Sequence, residues 1–286
     1  MKILIEPITR QDKYEYADGI ILALKDYSVQ SMNYYTIDEI KTIKDNNPTK
    51  EIFISINKNL MNEDIEPLSV ILKEIDKINV NGIFFYDTAV LQLHRELNLS
   101  TDLVWSSTHM VNNYKTCNYY YDKGCKYALL GKEITLEEIK EIITNSNITS
   151  MVEVVGLPSV AFSKRKLVSN YYSDLGKDKK DSIIIEEKMT KDKYIVNEDS
   201  NGTGFFLDKV VNGTSILKDL YEVNCEYVIF REYGIDNSTF NELVKDTKDY
   251  IDNKCTDEGY IEKYKKLGDF TNFFFKKTIY KVKKNG

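Results

Sequence analysis

The chain has 286 residues, 42% of them hydrophobic and 29% charged with both signs interleaved, which is the composition of a globular protein and excludes a disordered or fibrous one. Its length suits one large domain of α/β-barrel size or two smaller ones. A net charge of -6, with no long basic block outside the C-terminal tail, argues against nucleic acid as a partner, and the longest apolar runs fall far short of the roughly 20 residues that span a bilayer.

At the N-terminus the short apolar run of residues 1–5 is closed by Glu6 and Pro7. It lacks the extended apolar region of a secretory signal, which predicts a cytoplasmic location. Cys117, Cys125, Cys225 and Cys255 contain no C-x-x-C pair and match no compact metal-cluster spacing, so they are expected to be reduced thiols in or near the core.

In chain order, β-rich runs alternate with amphipathic stretches. Strands are predicted at 2–6, 19–24, 52–57, 82–86, 103–107, 127–130, 151–155 and 227–230, each rich in Ile, Val, Phe or Leu and closed by polar residues. Helices are predicted at 36–44 and 135–143, opened by the capping boxes Thr36 to Glu39 and Thr135 to Glu138. A helix over 64–78 puts Ile65, Leu68, Leu72 and Ile75 on one stripe, and another follows at 89–97. Eight strands with intervening helices predict an α/β fold, a TIM-type (β/α)8 barrel spanning 1–286. About 70 residues separate the seventh strand from the eighth. Residues 157–214 therefore read as a small β-rich insertion with short strands at 182–186, 193–197 and 204–207, followed by a helix at 215–222. The C-terminal tail, 270–286, is aromatic and then basic, and is expected to pack its phenylalanines on the barrel.

In such a barrel, function sits where the strands end at their C-terminal side. Those ends carry Glu6, Asn57, Asp87, the Ser107-Thr108-His109 run, Lys132 with Glu133, Glu153, and Arg231 with Glu232. His94 lies within a helical pattern and reads as a packing residue. His109 follows a buried strand and suits a general base or a divalent-metal ligand as well as it suits a loop hydrogen bond. Glu133 sits where an acid would favour a helix N-terminus, and Asp87 reads first as the N-cap of the next helix. Glu153 is an acid inside the Met-Val-Glu-Val-Val strand and needs a partner, for which Lys132, Arg165, Lys166 or Arg231 are available. No phosphate loop, nucleophile elbow or H-E-x-x-H motif is present.

Several stretches carry a family likeness: Tyr35-Thr36-Ile37-Asp38-Glu39-Ile40, Ser55-Ile56-Asn57 followed by Asn62-Glu63-Asp64, Ser107-Thr108-His109, and Lys132-Glu133-Ile134-Thr135-Leu136-Glu137-Glu138-Ile139. With them the chain resembles the peptidase U32 family, the collagenase-like peptidases. Over Met151 to Ser169 the family signature fits at Gly156, Val168 and Ser169, but its two cysteine places hold Ser159 and Lys166. In several family members such cysteines, with two more, hold a four-iron four-sulfur cluster used to hydroxylate RNA bases or a quinone precursor. Serine and lysine cannot stand in for thiolates, so no iron–sulfur cluster is expected.

The resemblance implies first a peptide-bond hydrolase acting on a peptide or protein. It would use a water activated by a base or a divalent metal ion, with His109, Glu133 and Glu153 as catalytic candidates, Lys132 or Arg231 stabilising the oxyanion, and His109, Glu153 and Asp87 as metal candidates. The alternative is a non-catalytic or half-catalytic partner of a paralogous U32 subunit, and the third reading is an RNA- or quinone-precursor-modifying enzyme.

Overall fold

The computed structural model describes residues 1–107, 110–178, 180, 182–268 and 274. Chain order runs β1 (Lys2–Glu6), β2 (Gly19–Ala23), α1 (Ile37–Asn46), β3 (Glu51–Ile56), α2 (Asn62–Ile78), β4 (Gly82–Phe85), α3 (Thr88–Glu96), β5 (Leu103–Trp105), α4 (Tyr114–Asp122), β6 (Tyr127–Leu129), α5 (Leu136–Asn145) and β7 (Thr149–Gly156). It then enters β8 (Ser159–Ser163), α6 (Leu167–Asp174), β9 (Ser182–Glu186), β10 (Lys193–Asp199), β11 (Gly202–Leu207) and β12 (Val211–Asn212). A 3-10 turn leads to α7 (Leu217–Glu222), β13 (Tyr227–Arg231), α8 (Asn237–Asp252) and α9 (Glu258–Tyr264).

Strands β1 to β7 and β13 pair in parallel, and β13 joins β7 to β1, so the sheet closes into an eight-stranded barrel. Closure follows from period-two alternation. Leu4, Ile21, Phe53, Phe84, Val104, Tyr127, Met151, Tyr227 and Ile229 point inward and fill the lumen, while residues such as Ile3, Ile20, Ile52 and Val152 face the helices. Phe53 stands edge-on to Phe84, Tyr127 and Tyr227 at 5.7, 6.0 and 6.1 Å, so the lumen is packed and not a pore. Both capping boxes form: Thr36 with Glu39 opens α1 and Thr135 with Glu138 opens α5. Asn79, which ends α2, takes the left-handed conformation at φ 58° that asparagine tolerates.

The excursion between β7 and β13 is a four-stranded antiparallel sheet in the order β8-β11-β10-β9, with α6 against it. Two elements beyond the expected three strands build it. Ser159–Ser163 forms a strand by pairing with β11, some forty residues on, and α6 starts because Glu198 of β10 accepts the backbone amides of Val168 and Ser169 at 2.8 and 3.1 Å. These partners are remote in sequence, and local pattern does not reveal them. Of the tail, Phe274 is described: it is buried and its carbonyl accepts the Leu136 amide at 2.8 Å. The rest of 270–286 lies outside the described residues. Among the described residues no helix is long and apolar enough to cross a membrane.

Candidate functional site at the barrel mouth

Alternation also dictates what caps the lumen. Two residues beyond the inward Leu4, Met151 and Ile229 come Glu6, Glu153 and Arg231, so three charged side chains enter one layer at the C-terminal end of the barrel. Parallel register sets Glu6 beside Arg231, and a bulge between Ile229 and Phe230 against β7 shifts Glu153 into reach of the same guanidinium. Arg231 donates its Nε to Glu153 Oε2 at 2.7 Å and ion-pairs with Glu6 through Nη1. Lys132, just past β6, reaches Glu153 Oε1 at 2.9 Å, and Ser31 donates to Glu6 Oε1 at 2.8 Å. The Glu153 side chain is only 7% exposed, so both oxygens are matched to cations, as a buried acid requires. Burial pulls the Arg231 guanidinium down to about 10, which leaves it a cation at neutral pH. Gly156 makes this possible, because a Cβ there would sit 2.8 Å from the Cβ of Arg231.

Above this layer opens a cavity of about 290 Å³. The barrel contributes Asn57, Asn59, Tyr86, Ser106, Ser107 and Lys132. The segment after β2 gives Gln30, Ser31 and Met32, and Tyr233 follows β13. The inserted sheet closes one side with Ser159, Phe162 and Phe206. It is held there by side chains from the barrel: Gln30 donates to Ser159 and to the Ala161 carbonyl, Tyr34 donates to Asp199 at 2.6 Å, and Asn197 donates to Tyr233 at 2.5 Å. The mouth thus combines amides, hydroxyls, aromatic rings and a balanced charge ladder, a lining that can grip a flat polar ligand by stacking and hydrogen bonds.

The candidates chosen from sequence distribute unevenly. Lys132, Glu153 and Arg231 come together, whereas Glu133 is exposed before α5 and does not line the cavity. Asp87 caps α3 through the Ala89 amide at 2.9 Å and accepts the Leu60 amide at 3.0 Å, so both its oxygens hold loops. His109 and Thr108 lie outside the described residues. Glu232, buried, accepts Ile8, Thr9 and Asn237 and ties the β1–β2 loop to the end of β13. His94 packs by bonding the Thr101 carbonyl at 2.7 Å. Gln30, Asn59, Phe162, Phe206 and Tyr233 were not singled out from sequence. Tyr86 could have been, since it stands two residues past the inward Phe84.

The donor set does not fit an iron–sulfur cluster. Cys117 lies on α4, Cys125 precedes β6, Cys225 precedes β13 and Cys255 follows α8, each buried separately. Burial pushes the Cys117 and Cys255 thiols up to about 11 and those of Cys125 and Cys225 to about 12, the opposite of what metal thiolates need. Of the signature places, Ser159 lines the mouth and Lys166 bonds the Asp199 carbonyl. Among the described residues no three His, Cys, Asp or Glu side chains come together as a metal site.

A parallel (β/α)8 barrel with a charged, aromatic mouth defines a TIM-barrel-like protein. Within that class the chain belongs to peptidase family U32, whose model matches residues 13–228. It is 27% identical over 260 residues to tRNA hydroxylation protein P2 of Bacillus subtilis (strain 168), covering 80% of this chain and 81% of that protein. It is 23% identical over 158 residues to tRNA hydroxylation protein P1 of the same strain, covering 54% of this chain and 37% of that one. An uncharacterized protease of Methanocaldococcus jannaschii, MJ0090, is 26% identical over 287 residues, 93% of this chain and 65% of that protein. Among solved structures, the U32 peptidase Mk0906 superposes with a TM-score of 0.49 at 12% identity, over 81% of this chain and 92% of that one.

Proposed function

We propose that this chain acts in tRNA hydroxylation as a base-binding barrel paired with a second U32 subunit. The observation that carries this reading is the 27% identity to tRNA hydroxylation protein P2 across four-fifths of both chains. The mouth agrees with it: Tyr86 and Tyr233 offer aromatic faces, and Asn59 and Ser106 offer an amide and a hydroxyl suited to the edge of a base, while the Asn57 amide holds the Val29 backbone and Gln30 holds the inserted sheet. Hydroxylation turns a C–H into a C–OH with loss of two electrons. No thiol lines the mouth and the four cysteines are scattered, so the oxidising group belongs to the second subunit and this chain binds and orients. Such a division is consistent with two tRNA hydroxylation relatives, P1 and P2, in one bacterium.

A peptidase reading finds less support. A water-activating base must present a free carboxylate or imidazole; among the described residues the two mouth carboxylates, Glu6 and Glu153, are already ion-paired, and His109 lies outside the described residues. The deciding experiment removes the gene from its host and profiles tRNA nucleosides by mass spectrometry. The proposal expects loss of a nucleoside one oxygen atom heavier than its parent, and no cleavage of casein or gelatin by the purified chain. Unchanged nucleosides together with proteolysis by the purified chain would overturn it.

A further inference from the structure

A chain of net charge -6 repels a polyanion in bulk, so an RNA whose base enters the mouth has to be met by cations gathered locally at the rim. The cations inside the mouth, Lys132 and Arg231, are matched to Glu153 and Glu6. Outside it, the chain has one run of three consecutive basic residues, Lys164-Arg165-Lys166, and that run joins β8 to α6. It begins two residues past Phe162, which lines the cavity, so the Cα of Lys164 lies within about 7 Å of that of a mouth residue.

The backbone of this loop is fixed from several sides. Thr203 Oγ1 donates to the Arg165 carbonyl at 2.8 Å and accepts the Leu167 amide at 3.0 Å, and Ser163 Oγ accepts the Arg165 amide at 3.2 Å. Gly202 lets β11 pass close beneath it, since a Cβ there would strike the Ser163 carbonyl oxygen and stand 3.0 Å from the Cα of Lys164. The side chains are treated differently from one another. Lys166 is spent on the Asp199 carbonyl. Lys164 and Arg165 are exposed, and among the described residues neither side chain makes a hydrogen bond or an ion pair. Lys164 stands near the start of α2: burial opposes the charge on Asp64, but the Met61 amide, Lys58 and Lys164 together hold its carboxyl below the ordinary value. Asp64 has direct partners of its own in Lys58 at 3.0 Å and the Met61 amide at 2.7 Å, which leaves the Lys164 ammonium for another anion.

A loop whose backbone is held and whose two cations are uncommitted, placed beside a cavity that suits a flat polar ligand, fits the phosphates on either side of that ligand. We propose that Lys164 and Arg165 hold the RNA backbone phosphates that flank the base entering the mouth. The proposal rests on the tRNA hydroxylation reading and adds where the RNA lies, along the rim between the inserted sheet and the start of α2. Such contacts carry no sequence information; they set the register in which a base meets the cavity.

The test is equilibrium binding of the full-length chain to fluorescently labelled total tRNA from host cells lacking the gene, read by anisotropy across a salt series. Removing both charges, in Lys164→Gln with Arg165→Gln, should weaken binding at least about tenfold at about 0.1 M salt and flatten the slope of log K against log salt by about 1.5 to 2, the share of two phosphates. The charge-keeping exchange Lys164→Arg with Arg165→Lys should bind and titrate like the wild type, and so should Lys73→Gln, an exposed lysine midway along α2. Wild-type binding that the double charge removal leaves unchanged in affinity and slope would overturn the proposal and leave the hydroxylation reading standing, because that reading is judged on the nucleosides of the deleted host. A wild-type chain with no affinity for tRNA, an equal loss in the charge-keeping exchange, or a double charge removal that releases a co-purifying U32 subunit while tRNA binding persists would overturn it as well.

Discussion

Replacing Glu153 tests whether the charge ladder at the mouth is a coupled unit. In Glu153→Ala, Lys132 loses its 2.9 Å partner and Arg231 keeps only Glu6, so two cations at the end of a packed lumen become under-compensated. Removing one member of a buried pair costs about 3–5 kcal/mol. Because Lys132 and Arg231 retain 18% and 23% side-chain exposure to the open mouth, water recovers part of that, and about 2–3 kcal/mol is expected. Urea is the right denaturant, since guanidinium would screen the ions. With a urea dependence of about 3 kcal/mol per molar for a chain of this size, the midpoint should fall by about 0.8 M. Adding Lys132→Met should recover roughly 1 kcal/mol, because it removes the orphaned ammonium. A midpoint within about 0.15 M of wild type for Glu153→Ala, or strictly additive effects in the double variant, would refute the coupling.

Other expectations follow from the same geometry. The four thiols, whose ordinary value is 9, are held at about 11 to 12 by burial, so the folded chain should resist alkylation at pH 8 while the urea-unfolded chain takes up four labels. The unfolded state then releases these protons first, so stability should fall as pH rises above 9, measured by urea midpoints from pH 8 to 10.5. Burial opposes the charge on Glu198, but hydrogen bonds from Ser169, Val168 and Thr203 outweigh it and hold its carboxyl below the usual 4.5. Its contribution is therefore present above that pH and lost as pH falls through the lowered value, and Glu198→Ala should speed proteolysis near α6 at neutral pH while leaving amide protection of the barrel strands unchanged. Gly156→Ala should displace Arg231 and destabilise by about 2 kcal/mol, read in the same urea assay.

The barrel was legible because each parallel strand is a short run of Ile, Val, Leu or Phe ending in a polar residue, and because Thr36 and Thr135 announce their helices by boxes that form. The buried acid was legible too: Glu153 stands out inside Met-Val-Glu-Val-Val, and Lys132 and Arg231 were two of the four cations weighed for it. What could not be read was which cation reaches it, since that depends on strand neighbours and on the bulge opposite Ile229. Arg165 and Lys166 lie between β8 and α6, in the inserted segment. The far wall of the mouth was equally hidden. Phe162 and Phe206 face it because β8 and β11 pair across forty residues, and Gln30 docks that sheet from a loop with φ 60°. Asp87 and Glu232 share the polar rim in sequence, but Asp87 spends its oxygens on the Ala89 and Leu60 amides, and Glu232 spends its own on the Ile8 and Thr9 amides and the Thr9 and Asn237 side chains, a use that residue type alone does not disclose.

The proposed service of the mouth in tRNA hydroxylation is tested most directly by complementation. Host cells lacking the gene are given either the wild-type chain or Lys132→Met, the latter shown by urea titration to be folded, and their tRNA nucleosides are compared by mass spectrometry. The account predicts that the wild type restores the hydroxylated nucleoside and that Lys132→Met, at equal protein level, does not. Full restoration by Lys132→Met, or no change on deleting the gene, would contradict it.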